Sequence, residues 1–306
     1  AKTGLTFNGT EQVLVNAGSG ITTGCTLQYK LDGGSYNAEL PKATNAGSYT
    51  VYYKVKGNNT THSDSSEQSF TVTIAPKTVT AAVSVEPTSY TYTGEAIVPT
   101  TVTVKDGTTV IPASEYTVTY GNNTNAGKAT VTVKDQDGGN YVVSGTATFT
   151  ITKAELSGVT VSLKGWTYGD TAKTPTVSGN LGGGNVTYQY KADNASTYTS
   201  TVPTNAGTYT VKATVAESAN YAAATATRNF TIVPKAISKA TVENIGEQEF
   251  TGRTITPTVT VKDGTVVLTD ADYSVAYANN IDAGTANVTI TGKGNYTAVS
   301  YTHLTL

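Results

Sequence analysis

A seven-residue element recurs four times at a nearly fixed spacing. It reads Asn45-Ala46-Gly47-Ser48-Tyr49-Thr50-Val51, then Asn125-Ala126-Gly127-Lys128-Ala129-Thr130-Val131. It returns as Asn205-Ala206-Gly207-Thr208-Tyr209-Thr210-Val211 and as Asp282-Ala283-Gly284-Thr285-Ala286-Asn287-Val288. Gly47, Gly127, Gly207 and Gly284 lie 80, 80 and 77 residues apart. A period of that length marks a tandem array of small units, each with its own modest core. The units are expected at 1–76, 77–153, 154–235 and 236–306. The first and third share one pattern and the second and fourth another. Phe250-Thr251-Gly252 repeats Tyr92-Thr93-Gly94, Pro257 repeats Pro99, and Val261-Lys262-Asp263-Gly264 repeats Val104-Lys105-Asp106-Gly107, at offsets of 157 or 158. The array is therefore an alternating one, ABAB.

Within each unit, short runs such as Thr26-Leu27-Gln28-Tyr29-Lys30-Leu31 place an apolar residue at every second position, the signature of a strand with one wet face. Asn8-Gly9 reads as a two-residue hairpin turn, Trp166-Thr167-Tyr168-Gly169-Asp170 occupies the same early position in unit three, and Gly182-Gly183-Gly184 reads as a hairpin tip. No segment has sustained helical periodicity. About seven short strands per unit, with turn signals every 8 to 12 residues, specify an all-β fold of four tandem antiparallel sandwiches, read as an elongated array. Tyr49 and Tyr209, two residues after a glycine, read as tyrosine corners whose hydroxyls return to the backbone, with Gly47, Gly127, Gly207 and Gly284 supplying positive backbone angles. Units two and four carry Ala129 and Ala286 there, and their aromatic bulk moves to Tyr116, Tyr120, Tyr273 and Tyr277. The joints, Ile74-Ala75-Pro76-Lys77, Ile151-Thr152-Lys153-Ala154 and Ile232-Val233-Pro234-Lys235-Ala236, are short and twice stiffened by proline, so a semi-rigid rod is expected.

The units resemble bacterial immunoglobulin-like surface repeats, with units one and three close to the MBG type and units two and four close to a second type. The residues that carry this are Trp166-Thr-Tyr-Gly-Asp, Asn205-Ala-Gly-Thr-Tyr-Thr-Val and Phe230-Thr-Ile for the first. For the second they are Tyr92-Thr-Gly, Val104-Lys-Asp-Gly, Asp272-Tyr-x-Val-x-Tyr-x-Asn-Asn and Gly294-Asn-Tyr. The resemblance covers the chain to about residue 298. It implies an extracellular or wall-attached bacterial protein in which such repeats serve as stalk or adhesin segments, and it brings no catalytic residues. The tail departs from it: Val299-Ser300-Tyr301-Thr302-His303-Leu304-Thr305-Leu306 resembles the translated end of a transposon-derived sequencing adapter, against which stands an ordinary divergent final strand, since Thr302 to Leu306 alternates well enough to pair as one. The chain is accordingly read as a fragment, truncated within unit four.

Chemistry-bearing constellations are sparse. The net charge is −2 with 14% charged residues and no basic block, which gives no electrostatic footprint for nucleic acid. No apolar run reaches the ~18 residues that span a bilayer, so no membrane insertion is expected of this segment. Cys25 is the one cysteine and reads as a half-buried strand residue. His62 and His303 are the two histidines, one in a polar loop and one in the divergent tail, which argues against a histidine-based triad. No catalytic residues and no cofactor are expected. Asp135, Asp137 and Asn140, with a glycine between, resemble the start of a calcium loop but lack its later bidentate Glu; a plain hairpin is the competing reading. Trp166 and Tyr168 form a candidate sugar-stacking platform, against which stands ordinary core or inter-repeat packing. The role these features suggest is a non-enzymatic, monomeric stalk that presents a distal module, or alternatively an adhesin module contacting cell-wall or host-surface glycan or protein.

Overall fold

The computed structural model describes residues 1–306. Strands account for nearly all of its regular structure, with two short 3-10 turns and no α-helix. The chain divides into two compact units, 1–153 and 154–306, so each holds one AB pair.

In the first unit, repeat one builds a four-stranded sheet in the order Leu5–Thr6, Gln68–Ala75, Gly47–Lys56, Thr26–Leu31. A two-stranded sheet, Gln12–Val13 with Lys42–Ala43, belongs to the same repeat. Its core is Leu14, Val15, Tyr29, Val51, Val72 and Ile74. The alternation in Gln68–Ala75 explains the burial: Val72 and Ile74 point inward while the threonines between them stay wet. Repeat two sets Tyr116–Gly121, Gly127–Asp135, Tyr141–Thr152 and Lys77–Thr80 side by side, with Ser89–Thr91 also on Tyr141–Thr152. Its second sheet is Ala82–Glu86, Thr101–Asp106 and Thr109–Val110. Phe149, Val131 and Ala129 fill one part of its core and Val104, Val133 and Tyr116 another.

The second unit repeats this plan. Repeat three has Trp166–Thr167, Ala224–Val233, Gly207–Val215 and Val186–Ala192 in one sheet, and Thr160–Ser162 with Thr176–Ser178 in another. Repeat four has Tyr273–Ala278, Thr285–Gly292 and Val299–Thr305 in one sheet and Thr241–Val242, Val261–Asp263 and Val266–Val267 in another. Two-sheet, all-β repeats of this kind are immunoglobulin-like sandwiches.

Four expectations change. Asn8-Gly9 is not a hairpin turn. Leu5–Thr6 runs parallel to Ile74 and Ala75 of the same repeat's last strand, and the next strand pairs in the other sheet. The turn therefore moves the chain between sheets, with Asn8 Oδ1 accepting from Thr10 N–H at 2.9 Å. Trp166–Thr167 does the same against Ile232 and Val233. Gly182-Gly183-Gly184 is likewise a crossing, since the strands on either side belong to different sheets. Asn180 closes that loop by bonding both N and O of Gly184, at 3.0 and 2.8 Å. The boundary at 235/236 shifts by one residue, because Lys235–Ala236 pairs with Tyr296 and Thr297 of repeat four. Cys25 is half-buried, but it sits one residue ahead of Thr26–Leu31 rather than in it.

The tail takes up a strand position. Val299–Thr305 pairs antiparallel with Thr285–Gly292, placing Leu304 opposite Ala286. Phe149 holds the matching place opposite Ala129 in repeat two. Leu304 is 2% exposed, so its alternating sequence is enough to fill the slot, with a smaller side chain.

Candidate functional site at the joint between repeats

Each unit contains one joint between an A repeat and a B repeat, and the same residues build both. In the first unit the linker is a single residue. Pro76 alone separates strand Gln68–Ala75 from strand Lys77–Thr80. Proline fixes φ and offers no N–H, which limits the directions in which the chain can leave. Lys77 then locks at once: its N–H donates to Asn140 O at 2.9 Å, and its strand runs parallel to the one that begins at Tyr141. The second unit does this with Pro234, Lys235 and Asn295, again at 2.9 Å.

The A repeat reaches this locked strand through its tyrosine corner. Tyr49 O–H donates to Asn45 O at 2.7 Å. That carbonyl and the N–H of Ala46 are two ends of one peptide group. The Ala46 N–H points across the joint and donates to Asn140 Oδ1 at 2.7 Å. A peptide bonded at both ends is polarised, so each bond strengthens the other. In the second unit Tyr209 O–H donates to Asn205 O at 2.9 Å and Ala206 N–H donates to Asn295 Oδ1 at 2.7 Å. Gly47 and Gly207, both at φ +155°, permit the turn that aims this peptide outward. The corner read from sequence is thus present, and it also forms one half of a clamp.

Aromatic rings close the other side. Phe7 and Tyr141 meet edge to face at 5.2 Å and 75°, and Tyr168 and Tyr296 do so at 5.6 Å and 72°. Such pairs add about 0.5–1.5 kcal/mol beyond the area they bury. Each neutral hydrogen bond adds about 1 kcal/mol. Behind the clamp, Lys77 Nζ pairs with Asp106 at 2.5 Å, and Lys235 Nζ with both oxygens of Asp263 at 2.5 and 2.7 Å. Tyr296 O–H adds a bond to Asp263 at 2.9 Å. The Lys235 ammonium, chiefly, holds the Asp263 carboxyl below its ordinary range. Burial and the Asp263 bond push the Tyr296 phenol up.

The clamp accounts for two of the sequence candidates. Asn140 of the candidate calcium loop has its side-chain oxygen on Ala46 N–H and its Nδ2 donating to Glu115 Oε1 at 2.9 Å. The loop is a tight turn, with Gly139 N–H donating to Gln136 O at 2.9 Å. Gly139 is there because a Cβ would come within 2.9 Å of both Gln136 O and Glu115 Oε2. No group of three or more His, Cys, Asp and Glu side chains is placed to hold a metal ion.

The sugar-stacking platform is corrected. Trp166 is 7% exposed and stacks on Phe230 at 5.3 Å inside the core of repeat three. Tyr168, two residues on and just past the end of strand Trp166–Thr167, stays on the same side but lies at the joint, where it packs against the cores of both repeats three and four. His62 lies in an exposed loop with Nδ1 2.8 Å from Thr61 Oγ1, and His303 on the exposed face of the last strand. Ala129 and Ala286 are fully buried, and the tyrosines expected to compensate do so. Tyr273 O–H donates to Val259 O at 2.7 Å, and Tyr277 O–H to Pro257 O. No helix is long and apolar enough to cross a membrane, which says nothing about strands.

No protein-family model matches the chain, and no curated protein matches it. Among solved structures the chain is similar to Drosophila N-cadherin EC1-4, at 11% identity and TM-score 0.22, over 97% of this chain and 95% of that one. It is also similar to Sidekick-1 immunoglobulin domains 1-5, at 15% identity and TM-score 0.21, over 100% and 77%. A third is zebrafish RET cadherin-like domains 1 to 4, at 13% identity and TM-score 0.19, over 68% and 65%. These are multi-domain β structures, and at such scores the likeness carries no argument about function.

Proposed function

We propose that the chain is a non-enzymatic stalk segment of a bacterial cell-surface or secreted protein, one that holds a distal module away from its anchor. The observation that supports this reading is the clamped joint, built twice from one proline, one asparagine, one peptide group and one aromatic pair. A joint with no slack turns a string of domains into a strut, and a strut needs no pocket. The resemblance of units one and three to MBG-type surface repeats supports the bacterial setting. Strands of six to ten residues give each domain about 35–40 Å of reach, so four would span on the order of 150 Å. Small-angle scattering tests this. A rod of that length has a radius of gyration of about 40 Å, and a single compact globule of this chain length about 19 Å. The smaller value would end the stalk reading.

A second reading, an adhesin-type module for a glycan or protein of the cell wall or a host surface, draws on a different observation. On the outer face of repeat one, Lys30 Nζ lies 4.8 Å from the Tyr36 ring and 4.9 Å from Tyr52, and Lys54 Nζ lies 4.8 Å from Tyr36. Repeat three keeps the arrangement, with Lys191 and Lys212 at 5.5 and 4.5 Å from Tyr198. Lysines stacked on tyrosines form a polar, aromatic surface suited to sugars. A glycan and matrix-protein screen decides it: saturable binding lost in Tyr36→Ala and Tyr198→Ala would replace the pure spacer.

A further inference from the structure

Repeat four carries the same outward-facing elements that repeats one and three use in their joints. Its counterpart of Asn45-Ala46-Gly47 is Asp282-Ala283-Gly284, with Gly284 at φ +137°. Its counterpart of Phe7 and Tyr168 is Phe250. Gln248 N–H donates to Thr305 O at 3.1 Å, which sets Phe250 beside the end of the last strand. Phe7 and Tyr168 are tied there too, through Ala75 O and Val233 O at 2.8 Å. The burial differs. Ala46, Ala206, Phe7 and Tyr168 are half-buried beneath the loop they clamp, whereas Ala283 is exposed and Phe250 is 54% exposed.

We propose that Phe250, Asp282 and Ala283 form a docking socket for an Asn-Tyr loop at the start of a strand in another repeat of this kind. This rests on the reading of the joint as a clamp and names what the open copy would hold. The occupant follows from the two filled copies. In both, the incoming loop is Asn-Tyr, at 140–141 and 295–296. The Asn accepts the Ala N–H, and the Tyr meets the aromatic ring. Joint two shows why the side chain must be an amide. Asn295 accepts from Ala206 N–H with its oxygen and donates from Nδ2 to Asn205 Oδ1 at 3.2 Å. At the open socket the matching acceptor is the Asp282 carboxylate. An amide donor gains a charge-assisted bond there, while an aspartate in the loop would meet a like charge. That bond offsets what the Asp282–Ala283 peptide lacks, since Ala286 stands where Tyr49 and Tyr209 brace the other two.

The occupant is not the leading repeat of a second copy. Where repeat three has Asn220-Tyr221, at the same offset of 160 that aligns Phe230 with Phe70, repeat one has Thr60-Thr61. Repeat three does build the loop in the required form, with Ala154 N–H on Asn220 O at 2.9 Å and Ala154 paired with Tyr221.

The test extends the chain with a second copy of residues 152–306 after Leu306, so that Thr152 of the copy follows Leu306 as it follows Ile151. Amide hydrogen exchange at Ala283 is read in the 306-residue chain and in the extended chain. Docking should slow exchange at Ala283 by about tenfold or more. Asn→Asp at the copy's equivalent of Asn220 should abolish that protection, and adding Asp282→Asn should restore it, because the amide and carboxylate have changed sides. Protection that is absent, or indifferent to the Asn→Asp change, overturns the socket. Concentration-dependent protection in the unextended chain would overturn the choice of occupant. Scattering of the unextended chain reads the stalk reading separately, so the two can fail independently.

Discussion

The two joints have the same contacts at nearly the same distances, yet they hold their central asparagine differently. Asn140 is gripped from within its own repeat: Glu115 accepts from its N–H at 2.6 Å and from its Nδ2 at 2.9 Å. Asn295 is gripped from across the joint, by Ala206 N–H and Asn205 Oδ1 together. The residue that matches Glu115 in repeat four is Asp272, whose shorter side chain stays local, accepting from Thr269 N–H and Oγ1 at 2.9 Å. The loop before Asn295 is also two residues shorter than the one before Asn140. One methylene in a carboxylate side chain, and two residues in a loop, thus decide whether the asparagine is preorganised by its own domain or captured by its neighbour. Aromatic burial follows the same split. Tyr296 is 5% exposed and belongs to the core of repeat four, while Tyr141 packs at the edge of its own.

The largest expected effect is therefore on the tyrosines. Tyr296→Ala should cost about 3–4 kcal/mol of stability in repeat four, as large aromatic truncations in a core do. Tyr141→Ala should cost clearly less in chemical denaturation. Equal costs would erase the distinction between the joints. Next, Glu115→Ala should loosen joint one by about 1–2 kcal/mol, because it leaves Asn140 Nδ2 without its acceptor. Asp272→Ala should leave the exchange of the Ala206 amide unchanged, and a faster rate there would contradict the assignment.

The acid response comes next. Asp263 has a folded pKa below its ordinary 3.8. Its contribution is complete above that value and is lost as pH falls through the lower folded one. Joint two should loosen in that window, read as faster exchange at Ala206 below about pH 4. An Asp263→Asn variant should start loosened and show no such step. Asp64, held at about 2 chiefly by Lys54 and also by Gly57 N–H, titrates in the same range. It lies in repeat one, which lets the two be separated by residue. The smallest effect is Tyr168→Phe, within about 0.5 kcal/mol, since Phe7 already serves at that place in joint one.

Much of this was legible in the chain. The period, the alternation of unit types, the proline joints and the tyrosine corners rest on local signals: a glycine, a ring two residues on, a strand with every second residue apolar. What stayed hidden depends on distance along the chain. Ala46 and Asn140 are 94 residues apart, and Ala206 and Asn295 are 89 apart. Asn-Tyr at 140–141, 220–221 and 295–296 is visible as a recurrence, but nothing local says that its amide meets a peptide in the preceding repeat. The oxygens of 135–140 show the same limit: around a glycine they suit a cation and a tight turn equally, and the partners of Asn140, Ala46 and Glu115, lie far off in the chain. Asn8-Gly9 departs from the hairpin expectation for a related reason. Its turn chemistry is right, but the strand before it pairs with residues 74 and 75, which a local pattern cannot reveal.

With the clamp in place, an A repeat and the B repeat after it should move as one body. Residual dipolar couplings of backbone amides in repeats one and two test it directly. A rigid clamp should let a single alignment tensor fit the amides of Leu5–Ala75 and Lys77–Thr152 together. Two tensors of different magnitude would mean that the repeats reorient independently, and the clamp would then be a contact without mechanical consequence.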